Sequence, residues 1–74
     1  MKSYVTFEVD HELPKTTVYA VCSRSSGDGL GWIKWYAPWR QYCFFPHSET
    51  VWAKNCLIEI NEFIEGLMDE RRIT

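Results

Sequence analysis

Five side chains in this sequence carry the atoms from which metal sites and thiol nucleophiles are built: Cys22, Cys43, Cys56, His11 and His47. Zinc prefers thiolate and imidazole, but its usual sites show close pairs such as C-x-x-C, and no such pair occurs here. A Cys–His nucleophile needs the two groups in contact, which spacing alone does not impose. Cys56 near a helix start invites a lowered thiol pKa, yet it sits on an apolar stripe. Inert structural thiols are therefore expected, with Cys43 shielded on a central strand and no metal or other cofactor bound. The loop Ser25-Ser26-Gly27-Asp28-Gly29 offers backbone N–H groups to a phosphate. It lacks the Lys-Ser/Thr of a P-loop and joins two strands that read as antiparallel, so a hairpin turn is the simpler reading. No paired acid and base or activated nucleophile can be assembled, and the expectation is a protein without catalytic residues, not an enzyme.

The chemistry that remains is recognition. Trp32, Lys34, Tyr36, Trp39, Arg40 and Tyr42 fall within eleven positions, and Trp, Tyr and Arg are the residues most enriched at binding hot spots. A turn tip carrying Trp39 and Arg40 can enter a partner's pocket; alternatively Trp39 folds back on Tyr36 or Tyr42 and completes a core. An aromatic sheet face can also stack bases, with Lys34 and Arg40 on phosphates. Against nucleic acid stand the net charge of −2, the pI of about 5.6 and the lack of an RNP-like motif.

These residues must be held by a sheet. Tyr4 to Asp10 alternates with period two, Val5, Phe7 and Val9 facing one way, as in a half-buried strand. Pro14 breaks the pattern, having no N–H for a ladder. Thr16 to Arg24 is β-branched and aromatic and reads as a second strand. Leu30 to Tyr36 is a third, Ala37-Pro38-Trp39-Arg40 a tight turn, and Gln41 to Phe45 a fourth strand ended by Pro46. Between Thr50 and Asn55 the period changes to 3.6, with Ser48, Thr50 and Asn55 as candidate caps. Cys56, Leu57, Ile60, Phe63, Ile64, Leu67 and Met68 then make one apolar stripe, with acidic residues opposite. Arg71 and Arg72 suit the negative end of the helix dipole.

The expected fold is α+β: a small antiparallel sheet of three to four strands packed against one C-terminal amphipathic helix, ββββα, as a single domain over 1–74. Ile33 and Trp35 oppose Trp32 and Tyr36 on the third strand, and Tyr42 and Phe44 oppose Cys43 and Phe45 on the fourth. Both sheet faces are then apolar, yet one helix covers one face, so the other awaits connections, a second copy or a partner.

At 74 residues the chain buries only about 60% of its unfolded surface, and 16% aromatic residues is more than a minimal core needs. Three cysteines is an odd count, irregularly spaced and without a secretory signal before them, which points to a reducing compartment. No apolar run approaches the ~18 residues that span a bilayer. A cytoplasmic protein with no membrane partner is expected.

Trp35-Tyr36-Ala37-Pro38-Trp39-Arg40-Gln41-Tyr42-Cys43-Phe44-Phe45-Pro46, preceded by Val21-Cys22-Ser23-Arg24-Ser25-Ser26-Gly27-Asp28-Gly29-Leu30-Gly31-Trp32-Ile33-Lys34 and followed by Cys56-Leu57-Ile58-Glu59-Ile60-Asn61-Glu62-Phe63, resembles a widespread family of small uncharacterised bacterial and phage proteins. The likeness covers roughly residues 17 to 72 and leaves 1 to 16 outside. It carries no activity, ligand or catalytic residue. It implies a context, a cytoplasmic accessory protein spread by phages. The sequence thus points to a non-enzymatic binding module acting on a protein partner or by self-association. The alternatives are a small-ligand-binding oligomer (a sponge) and a single-strand nucleic-acid binder.

Overall fold

Alternation and turn chemistry produce four strands and one helix. The computed structural model describes residues 3–73, the side chains at 72 and 73 excepted. The role expected of the Arg72 side chain lies outside the described residues. The strands are β1 (Val5–Glu12), β2 (Thr17–Ser23), β3 (Gly29–Tyr36) and β4 (Gln41–Pro46), followed by the helix α1 (Lys54–Ile73). They form one antiparallel sheet in the order β1-β2-β3-β4. The fold is therefore α+β, as expected.

Parity decides which residues meet the helix. Tyr19 pairs with Ile33 and Ile33 with Phe44, so Val5, Val21, Ile33 and Tyr42 share one face with Ile60 and Leu67 of α1 packed on it. Val5, Val21 and Ile33 are 1% exposed or less, and each fully buried aliphatic side chain contributes about 1.5–3 kcal/mol. Phe63 stacks on Phe7 at 4.1 Å and meets Tyr19 edge-on at 5.0 Å. Arg71 lies over the Trp35 ring at 4.1 Å, closing the far end of the same layer.

Several expectations are corrected. Leu57 is 49% exposed, so the covering stripe runs through Cys56, Ile60, Phe63, Ile64, Leu67 and Met68 without it. Val9 is exposed although its pairing with Tyr19 puts it on the helix side, and beyond it a bulge between Val9 and His11 breaks the period-two pattern. The tight turn stands where it was expected, as a single 3-10 turn over Ala37–Trp39 with Arg40 in the left-handed region at φ 53°. Thr50 does not begin the helix. Its hydroxyl donates to the His47 carbonyl and accepts from Trp52 Nε1, which orders the connection instead.

The chain's first described residues are tied to the helix by one carboxylate. Glu59 accepts from the Tyr4 N–H and from the Ser3 hydroxyl, both at 2.8 Å. Partial desolvation pushes its pKa up, but these hydrogen bonds and the nearby Arg24 outweigh it and hold the carboxyl below its ordinary value. A depressed folded-state pKa contributes stability above the unfolded pKa and loses it as pH falls through the folded value. Glu59→Gln is therefore expected to lower stability at neutral pH, where the carboxylate's contribution is fully present, and to flatten part of the loss on the acid side, so that the two proteins converge below the ordinary carboxylate range. Urea midpoints measured across acid pH check this; parallel curves for the two proteins would remove Glu59 from the acid response.

Candidate functional site

With the helix on one face, the other face of the sheet is open. Its residues follow from register. Glu8 of β1, Ala20 of β2, Trp32 of β3 and Phe45 of β4 are mutual cross-strand partners and form one row across it. Lys34 and Cys43 make the next row on β3 and β4, and Tyr36 and Gln41 the one after.

The β3–β4 half of this face is a continuous group of rings. Tyr36 contacts Trp39 edge-on at 5.0 Å and Phe45 at 5.9 Å. Trp32 meets His47 at 4.2 Å. The Lys34 ammonium lies over the Phe45 ring at 4.6 Å, a cation–π contact that holds a positive charge flat against the sheet. Trp39 projects from the 3-10 turn and is 66% exposed. Its Tyr36 contact orients the indole while leaving most of it free. The Arg40 side chain is exposed beside it.

The β1–β2 half is different in kind. It presents Ala20 beside Val18, with Glu8 at the edge. Val18 is 4% exposed. It floors a shallow cleft of about 300 Å³ walled by His11, Leu13, Trp32 and Lys34. A second cleft of about 270 Å³ lies between Tyr36, Trp39, Cys43 and Phe45. The open face thus joins a ring-rich, basic half to a small-residue, acidic half, with one apolar cleft spanning the two and another among the rings.

Five of the six expected recognition residues, Trp32, Lys34, Tyr36, Trp39 and Arg40, come together on or beside this face. Tyr42 does not. It is 7% exposed on the helix side, edge-on to Trp35 at 5.5 Å, with its hydroxyl accepting from the Thr17 N–H. Phe45 takes its place. Tyr36 pairs with Gln41, so even-numbered residues of β3 share a face with odd-numbered residues of β4. That pairing was the signal available for finding Phe45. His47 came from the connection and had no periodic signal.

Thiol and imidazole groups are dispersed. Cys22, Cys43 and Cys56 are free and half-buried, so Cys43 is less shielded than expected, being on the open face beside Lys34. Among the described residues no group of three or more His, Cys, Asp or Glu side chains could hold a metal ion, and no helix is long and apolar enough to cross a membrane. A polar cleft of about 380 Å³ lies at the far edge of the helix layer, where Tyr19 and Tyr42 meet the β1–β2 turn and the end of α1. Partial burial, then the neighbouring Tyr42, raise the Tyr19 pKa against a Thr17 hydrogen bond, with the Glu70 and Glu12 carboxylates adding to the rise. The phenol there stays protonated, a hydrogen-bond donor rather than a base.

In sequence, the chain is 38% identical over 58 residues to an uncharacterized 9.3 kDa protein of Acholeplasma phage L2, covering 78% of this chain and 74% of that protein. No protein-family model matches the chain. No solved structure matches it.

Proposed function

The chain belongs to the family of that phage protein, and from this premise we propose that it is a non-enzymatic interaction module, a phage-type accessory protein that works by binding through its open sheet face. The observation that carries this reading is the placement of Trp39. An indole that is mostly exposed, fixed by an edge contact to Tyr36, and flanked by Phe45, Lys34 and Arg40 has the composition and rigidity of a binding anchor. Exposed apolar patches of this kind mark interaction sites more often than they mark idle surface. A protein surface suits the face better than a nucleic acid, because Glu8 and Asp10 stand exposed along its edge strand and repel phosphates.

Trp39→Ala is expected to leave the urea midpoint close to the parent's, within about 1 kcal/mol, since the side chain lies outside the core. It is expected to abolish binding to whatever the face engages, read as loss of self-association or of a captured protein. A variant that unfolds would show Trp39 to be structural. A variant that folds and binds as before would move the functional surface elsewhere.

A further inference from the structure

The geometry points to a second copy of this chain as the occupant of the open face, packed face to face about a two-fold axis that runs along the strands between β2 and β3. This rests on the interaction reading above and names the partner. The two halves of the face are complementary to each other. Rotation about such an axis keeps the level along the strands and reverses their order, so β1 of one copy lies over β4 of the other and β2 over β3. Glu8, Ala20, Trp32 and Phe45 share one level. Ala20 therefore receives the Trp32 indole of the second copy, a small residue against a large one. Glu8 comes over the partner's Phe45, the ring on which the Lys34 ammonium is already held. Each contact occurs twice by symmetry.

The turns obey the same rule. The β1–β2 and β3–β4 connections lie at one end of the sheet, and the rotation places each over the other. Trp39 then meets the cleft of about 300 Å³ beneath Leu13, whose side chain is 48% exposed. Knob and hole are present on the same molecule in the positions that closed two-fold symmetry demands. Edge-to-edge pairing through β1 is the poorer arrangement, because that strand carries Glu8, Asp10 and Glu12 and a bulge, features that block strand addition.

Four strands ~4.8 Å apart, each roughly 20–26 Å long, give a flat footprint of about 400–500 Å², before Trp39 and Leu13 add to it. Stable complexes bury about 800 Å² per partner. The dimer is therefore expected to be weaker than a standard complex and concentration-dependent.

The test is sedimentation of the full chain from low to high micromolar concentration, with Glu8→Lys and Lys34→Glu, both at exposed positions, confirmed as folded by thermal melts. The wild type is expected to dimerise. Each variant alone places like charges in contact at both symmetric positions, and its dissociation constant is expected to rise about tenfold or more. An equal mixture of the two restores both opposite-charge contacts, and a heterodimer of near wild-type affinity is expected. Dimerisation of both variants as tight as that of the wild type would put the interface elsewhere and overturn the arrangement. A wild type that stays monomeric overturns the second copy as occupant. If that monomer still captures another protein, with capture lost in Trp39→Ala, the interaction reading survives; if Trp39→Ala removes nothing, both fall.

Discussion

Phe63→Ala is expected to cost this protein about 3–5 kcal/mol of stability. The helix backbone approaches β4 more closely than the other strands, so its hold on β1 and β2 depends on side chains that reach across. Phe63 makes that reach. Its ring stacks on Phe7 of β1 with 5° between the two planes, and stands edge-on to Tyr19 of β2. Truncation to alanine removes both contacts and opens the layer above Phe7. A protein of this length has roughly 4–11 kcal/mol in total, so the variant is expected to be partly unfolded at room temperature. Phe63→Leu, which refills much of the volume, is expected to lose only about 1–2 kcal/mol. Urea denaturation followed by tryptophan emission measures both. An alanine variant with the parent's midpoint would mean the helix is held by its β4 contacts alone.

The fold was legible because its signals were local. Alternation in Val5 to Phe7, the β-branched run around Val18 and Val21, Pro38 in the turn and the 3.6-residue stripe through Ile60, Phe63 and Leu67 each specify an element without reference to the others. What sequence could not supply was the pairing between elements. Tyr42 was expected on the recognition surface because it is aromatic and near Trp39. Only the β3–β4 register shows that it shares a face with Trp35 and Ile33, and so belongs to the core. Val9 fits its alternating pattern and pairs with Tyr19 on the helix side, yet it is exposed and takes no part in the packed core; the bulge before His11 ends the agreement between parity and face only beyond it. Leu57 lies on the helical stripe near the start of α1 and remains about half exposed. Counting layers showed that one helix leaves one sheet face open, but whether Trp39 folds back on Tyr36 or stands free was not legible; it does both, touching Tyr36 edge-on while staying 66% exposed. The clefts on that face arise from residues distant in sequence, Leu13 beside Trp32 and Trp39 beside Phe45, and had no linear signature.

Gly31→Ala is expected to be more damaging than any truncation in the core, although it adds a single methyl group. Gly31 is buried in the middle of β3, paired with Val21 on one side and Pro46 on the other. A Cβ placed there would stand 2.5 Å from the Phe45 carbonyl oxygen and 2.8 Å from both the Pro46 Cα and a Phe44 ring carbon. Two of these three obstacles are backbone atoms, which cannot rotate away as a side chain can. Glycine in a strand interior is often the mark of such a close approach. Relief requires β4 to move off β3, and β4 carries Phe44 into the core and Phe45 onto the open face. Stability and the recognition surface are therefore expected to fail together. Gly27 and Gly66 supply the contrast. Both have nothing within 4 Å of the added carbon, but Gly27 holds φ at +79° in its turn and Gly66 is exposed within α1. Gly27→Ala is expected to cost about 1 kcal/mol, for the left-handed backbone alone. Gly66→Ala is expected to add roughly 0.5–1 kcal/mol of stability through helix propensity. Thermal melts of the three variants should fall in the order Gly66→Ala, Gly27→Ala, Gly31→Ala, the last without a cooperative transition. A Gly31→Ala protein that melts near the parent temperature would show that the two strands are not held as closely as their register implies.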